Sequence, residues 1–148
     1  MNVMRGALVG LLVAVAVPAL AHDTRPLFIE ITETESGRFQ TNWKVPVTVA
    51  ATNIPDVYLP ETCRPLGPVT GGATFRSQSY ECATDLSDES ISISYPRYNP
   101  SISSLVHFSR LSGETYSEVL SPETTTWAVP TKERTWRVAK QYTILGIE

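Results

Sequence analysis

The sequence predicts an all-β fold, a two-sheet β-sandwich of immunoglobulin-like type followed by a C-terminal helical lead-in segment. Three observations carry that prediction. Eleven prolines and eight glycines are spread along the chain, which interrupts long helices and punctuates short strands. Apolar and polar residues alternate in several stretches, most cleanly in Ser90-Ile91-Ser92-Ile93-Ser94-Tyr95, where a period of two makes one face apolar and the other serine. Such stretches recur at regular spacing between turn signals, the pattern of two sheets packed face to face.

The chain begins with a segment that reads as an export signal rather than as part of the fold. Met1 to Arg5 carries one positive charge, Ala7 to Val17 is an unbroken apolar run, and Ala19-Leu20-Ala21 is an A-x-A cleavage site. The run is about half the roughly 20 residues a bilayer core requires, so cleavage after Ala21 is expected rather than a membrane anchor. Of 148 residues, 148 less 21 leaves 127 in the mature part, enough for one domain. The expected organisation is a signal peptide over 1–21, a sandwich over 22–130 and a helical, membrane-proximal segment over 131–148.

Within the sandwich, Leu27, Ile29 and Ile31 alternate with Phe28, Glu30 and Thr32, the run stops at Glu35-Ser36-Gly37-Arg38, and Phe39, Thr41, Trp43 and Val45 resume it. This predicts a hairpin. Pro46 predicts that the second strand lies at an edge or bulge, with Val47-Thr48-Val49 continuing it. Val57 and Leu59 mark a short strand, Cys63 to Pro68 is turn-rich, and Gly71-Gly72 turns the chain into a strand from Thr74 to Cys82. Asp85 to Asp88 is a polar break before the Ser90 strand. Leu105-Val106-His107-Phe108, the turn Ser112-Gly113-Glu114 and Tyr116 to Leu120 form a second hairpin, and Trp127 to Pro130 the last strand. From Thr131 to Glu148 the spacing becomes helical: Lys132, Arg134, Arg137 and Lys140 interleave with Trp136, Val138 and Tyr142, and apolarity rises toward Ile144-Leu145-Gly146-Ile147.

Export places Cys63 and Cys82 in an oxidising compartment, where a pair without CxxC spacing reads as one structural disulfide. Composition narrows function further. With 12 basic and 15 acidic residues the formal charge is −3, and nucleic acid is not an expected partner without a clustered basic footprint. No Gly-x-Ser-x-Gly elbow or phosphate-cradling glycine loop occurs, so no enzymatic activity is expected. Glu33 and Glu35 fall on one strand face, where solubility is the ordinary role. Trp43, Trp127 and Trp136 read as core or membrane-proximal anchors, with a carbohydrate platform as the lesser alternative.

There are two histidines, His22 and His107, too few for a multi-histidine zinc site. Cleavage after Ala21 would make His22 the first residue, and its free amine and imidazole together chelate Cu(II) or Ni(II). Asp23 adds an oxygen ligand, and His107 closes the site if its strand lies beside the first one. A solvated terminus and an ordinary strand histidine are the alternative.

Several short matches in order resemble the periplasmic N-terminal region of HupE/UreJ-type membrane proteins: the start His22-Asp23-Thr24-Arg25-Pro26, then Trp43-Lys44-Val45-Pro46, the stretch Leu59 to Pro68, and Tyr142 to Glu148. The resemblance implies a non-enzymatic periplasmic domain associated with nickel handling. It also implies a membrane domain C-terminal to Glu148, or a membrane partner, and inner-membrane tethering if the chain continues. The other reading is a free-standing periplasmic sandwich that binds copper or nickel through His22.

Overall fold

The alternation read from the sequence produces strands with one buried and one outward face, and in the first two strands the odd-numbered side chains are the buried ones. In β1 (Leu27–Glu35) Leu27, Ile29 and Ile31 are fully buried, and in β2 (Arg38–Lys44) Phe39, Thr41 and Trp43 are buried opposite them. The two pair antiparallel from Phe28↔Lys44 to Glu33↔Phe39. Gly37 at their turn has φ +75°, and a Cβ there would stand 3.0 Å from the Cys82 carbonyl oxygen, so glycine suits both the turn and the close neighbour. The computed structural model describes residues 25–131. The signal segment 1–21, His22, Asp23 and all but Thr131 of the lead-in segment lie outside the described residues.

The remaining strands are β3 (Asp56–Tyr58), β4 (Cys63–Pro65), β5 (Thr70–Gly71), β6 (Phe75–Cys82), β7 (Ser90–Ser94), β8 (Ser104–Ser109), β9 (Thr115–Leu120) and β10 (Thr126–Ala128). One sheet runs in the order β4-β6-β2-β1-β8-β9, with β5 also on β6, and the other in the order β10-β7-β3. They pack as a two-sheet β-sandwich. All pairs are antiparallel except β1 with β8, which run parallel from Leu27↔Ser104 to Thr32↔Ser109.

Aromatic side chains join the sheets. The Phe108 ring lies 6.1 Å from Phe39, 6.3 Å from Tyr116 and 6.0 Å from Trp127 of the smaller sheet, the separations at which ring edges and faces attract. Trp43 donates its indole N–H to the Pro55 carbonyl at 2.9 Å, and Tyr80 donates its hydroxyl to Val57 at 3.1 Å. Burial, reinforced by neighbouring Tyr58 and Asp56, pushes the Tyr80 phenol up to about 12. Because the folded value lies above the unfolded one, this contribution is complete below about pH 10 and lost as pH rises through 12. Burial also raises the Tyr95 phenol, so ultraviolet titration should show late-ionising tyrosines, and Tyr80→Phe should remove the latest phase.

Several local expectations are corrected. β2 is an interior strand that ends at Lys44, so Pro46 falls after the last ladder pair and its missing N–H costs the sheet nothing. Val47-Thr48-Val49 does not continue it: the Val49 amide closes a turn onto the Pro46 carbonyl at 3.0 Å, leading into a 3-10 turn at Ala51–Asn53. Cys63–Pro65 is a strand rather than a turn, held in register on β6 with Cys63 opposite Cys82. The polar break at 85–88 contains Leu86, which is fully buried.

The disulfide joins Cys63 to Cys82 with a sequence separation of 19, compatible with folding in an oxidising compartment. Closing a loop of that length stabilises by about 3 kcal/mol on the chain-entropy estimate. The Cys63→Ser, Cys82→Ser double variant should lose about that much, read by urea denaturation under non-reducing conditions.

Candidate functional site

The outward-facing residues of the larger sheet, even-numbered on β1 and β2 and odd-numbered on β6 and β8, form an open outer face with three bands. At one end, Phe75, Lys44, Phe28, Leu105 and Val119 follow one another across β6, β2, β1, β8 and β9. Phe75 and Val119 are exposed, and the Lys44 ammonium lies 5.8 Å from the Phe28 ring centre. At the other end Glu81 sits between Arg64 and Arg38, accepting from the Arg64 Nε at 2.9 Å. Those surface ion pairs are worth little individually.

Between them lies a polar band in which side chains bond one another across three strands. Ser79 donates to Gln40 Oε1 at 2.6 Å, Gln40 Nε2 to Ser77 Oγ at 2.6 Å, and Ser77 to Asn42 Oδ1 at 2.7 Å. Asn42 Nδ2 points on to Glu30 Oε2 at 3.4 Å. The alternation of β2 and β6 makes this band: Gln40 and Asn42, like Ser77 and Ser79, are two residues apart on one face. Beside it, between the loop after β4 and the sheet, a cleft of about 320 Å³ is lined by Gln40, Gly67, Pro68, Thr70, Ser77 and Ser79 among others.

His107 stands on the same face, opposite Glu30 across the parallel β1–β8 pair. Its Nδ1 is 2.8 Å from Ser117 Oγ and its Nε2 is 3.3 Å from Ser109 Oγ. The strand of His107 thus lies beside the first one, as the proposed N-terminal metal site requires. Its level is Glu30, however, five residues and about 17 Å of strand beyond Arg25. His22 and Asp23 are outside the described residues, and among those residues no group of three or more His, Cys, Asp or Glu side chains is arranged to hold a metal. Trp43 and Trp127 are core residues. Glu33 and Glu35 are separated by a register irregularity and do different things: Glu33 accepts the Leu111 amide at 3.0 Å, and Glu35 pairs with Arg38.

Near the last described residues, Arg110 forms a buried clamp that sequence reading missed. Its side chain is 2% exposed and lies 5.2 Å from the Phe108 ring centre. It donates to Asp85 Oδ2 at 2.8 Å, to Ser87 Oγ at 2.9 Å and to the Pro130 carbonyl at 3.3 Å. Burial pushes the Asp85 carboxyl upward, but hydrogen bonds from Ser87 and the Arg110 charge outweigh it and hold the group below its ordinary 3.8. A single arginine after a strand carries no motif, which is why only the fold reveals this role. Among the described residues no helix is long and apolar enough to cross a membrane. Comparison of the chain with known protein families, with curated proteins and with solved structures finds no match.

Proposed function

We propose that this chain is an exported, non-enzymatic periplasmic domain of a HupE/UreJ-like membrane protein associated with nickel handling. In this role it is a folded cap beside a membrane portion, joined through the segment after Thr131. The observation that carries the reading is the Arg110 clamp. By holding the Pro130 carbonyl together with Asp85 and Ser87, it anchors the chain just after β10, which supports a domain tethered through the segment that follows. The disulfide and the sequence of residues 1–21 support the exported location. The nickel association rests on the resemblance of short sequence stretches.

The test is fractionation of the native host, probed with an antibody raised against the sandwich. The expected result is a band in the inner-membrane fraction that resists carbonate extraction, with His22 as its first residue. A soluble periplasmic species, or a retained Met1, would overturn the proposal.

A further inference from the structure

We propose that the cleft beside the polar band binds a neutral oligosaccharide chain, an activity independent of the membrane-domain reading. Charge supplies the first argument. None of the residues lining this cleft is titratable, whereas the two described clefts at the disulfide end carry Glu61, Arg64 and Glu81 in one and Glu33 and Asp85 in the other. A neutral hydroxylated ligand fits a charge-free floor.

The second argument is chemical. The floor consists of hydroxyls and an amide, and a serine hydroxyl that donates once retains lone pairs that accept from a sugar O–H. Gln40 both accepts from Ser79 and donates to Ser77, so its amide plane is fixed before any ligand arrives and less ordering is required on binding. The wall is equally built. Gln78, 4% exposed, donates to the Gly67 carbonyl at 2.9 Å, and the Leu66 amide donates to the Ser79 carbonyl at 2.9 Å. Pro68 and Gly67 offer C–H surface on one side. Phe75, 43% exposed and two residues from Ser77 on the same strand face, offers an aromatic surface against which a pyranose ring packs.

The experiment is amide-shift mapping of the isotope-labelled exported chain titrated with chitohexaose, cellohexaose and maltohexaose. At least one should shift amides confined to residues 40–42, 66–70 and 75–79. Gln40→Ala and Phe75→Ala should each weaken binding by about tenfold or more, while Glu61→Gln in the neighbouring cleft should leave it unchanged. Absence of shifts with all three sugars, shifts centred elsewhere, or unchanged affinity in folded Gln40→Ala and Phe75→Ala would overturn the proposal. Should Gln40→Ala fail to fold, Ser79→Lys takes its place: a charge projected over the cleft should abolish binding, and retained affinity would count against the site.

Discussion

Arg110→Ala is expected to destabilise the sandwich by about 3–5 kcal/mol, the cost typical of removing one partner from a buried, hydrogen-bonded charge cluster. The guanidinium links the 85–88 loop, the β8–β9 turn and the segment after β10 at Pro130, and its Nε faces Glu114 at 3.6 Å. Truncation would leave the Pro130 carbonyl and the Glu114 carboxylate without their cation and open a void beside Phe108. Arg110→Met, which keeps the apolar stem over that ring, should lose less. Urea denaturation with an unchanged slope would establish that the loss lies in stability. The pH dependence gives an independent signature. Asp85 has a folded pKa below its unfolded 3.8, so its contribution is present above about pH 4 and lost as pH falls through the folded value. Arg110→Ala and Ser87→Ala should both flatten that acid limb. Asp85 is 51% exposed, so the limb is shallow in the parent protein and sensitive to salt.

Trp43→Ala should cost about as much, roughly 3–5 kcal/mol, for a different reason. Trp43 is fully buried in an interior strand of the larger sheet, and its indole reaches Pro55, just before β3 of the smaller one. Removing it combines a large cavity between the layers with an unpartnered carbonyl. Trp43→Phe separates the two effects: most of the volume stays, and the remaining loss of about 1–3 kcal/mol reports the Pro55 carbonyl left without its donor. Equal losses in the two variants would place the whole effect in the hydrogen bond. Because total domain stabilities are typically about 5–15 kcal/mol, either Trp43→Ala or Arg110→Ala should visibly lower the yield of folded protein.

What could be read from the sequence was what local periodicity dictates. Alternation over Leu27 to Val45 and over Leu105 to Leu120 is strong enough that both hairpins form nearly as written, because a one-residue slip would turn every core side chain to solvent. Cys63–Pro65 was hidden because proline and glycine nearby signal turns, while its pairing depends on β6 and the disulfide. Leu86 was hidden because one apolar residue among Asp85, Ser87 and Asp88 has no period. The polar band was legible in principle, as Gln40 and Asn42 face away from Phe39, Thr41 and Trp43. Its meeting with Ser77 and Ser79 required knowing that β2 pairs with β6. Buried Asn53 illustrates the same limit: it donates to the Tyr98 carbonyl at 2.8 Å and accepts from the Arg97 and Tyr98 amides, fastening two loops that no sequence pattern associates.

The parallel pairing of β1 with β8 also sets the order in which the domain is completed. Leu27 meets Ser104, so 104 less 27, or 77 residues, must be synthesised before the first strand acquires that neighbour. Closing so long a loop carries an entropic cost before any contact rewards it, and sheets dominated by non-local pairs fold on the millisecond-to-second scale. As the chain emerges from its N-terminus, the β1–β2 hairpin is available early. Its other edge, a row of unpaired backbone N–H and C=O groups, stays open until β8 has appeared, and the face bearing Leu27, Ile29 and Ile31 is uncovered meanwhile. The nascent protein therefore passes through an interval in which it is extended, unfinished and adhesive. A translocation pore that accepts only unfolded polypeptide would find it threadable during that interval, and a holding chaperone would find there its most accessible binding segment.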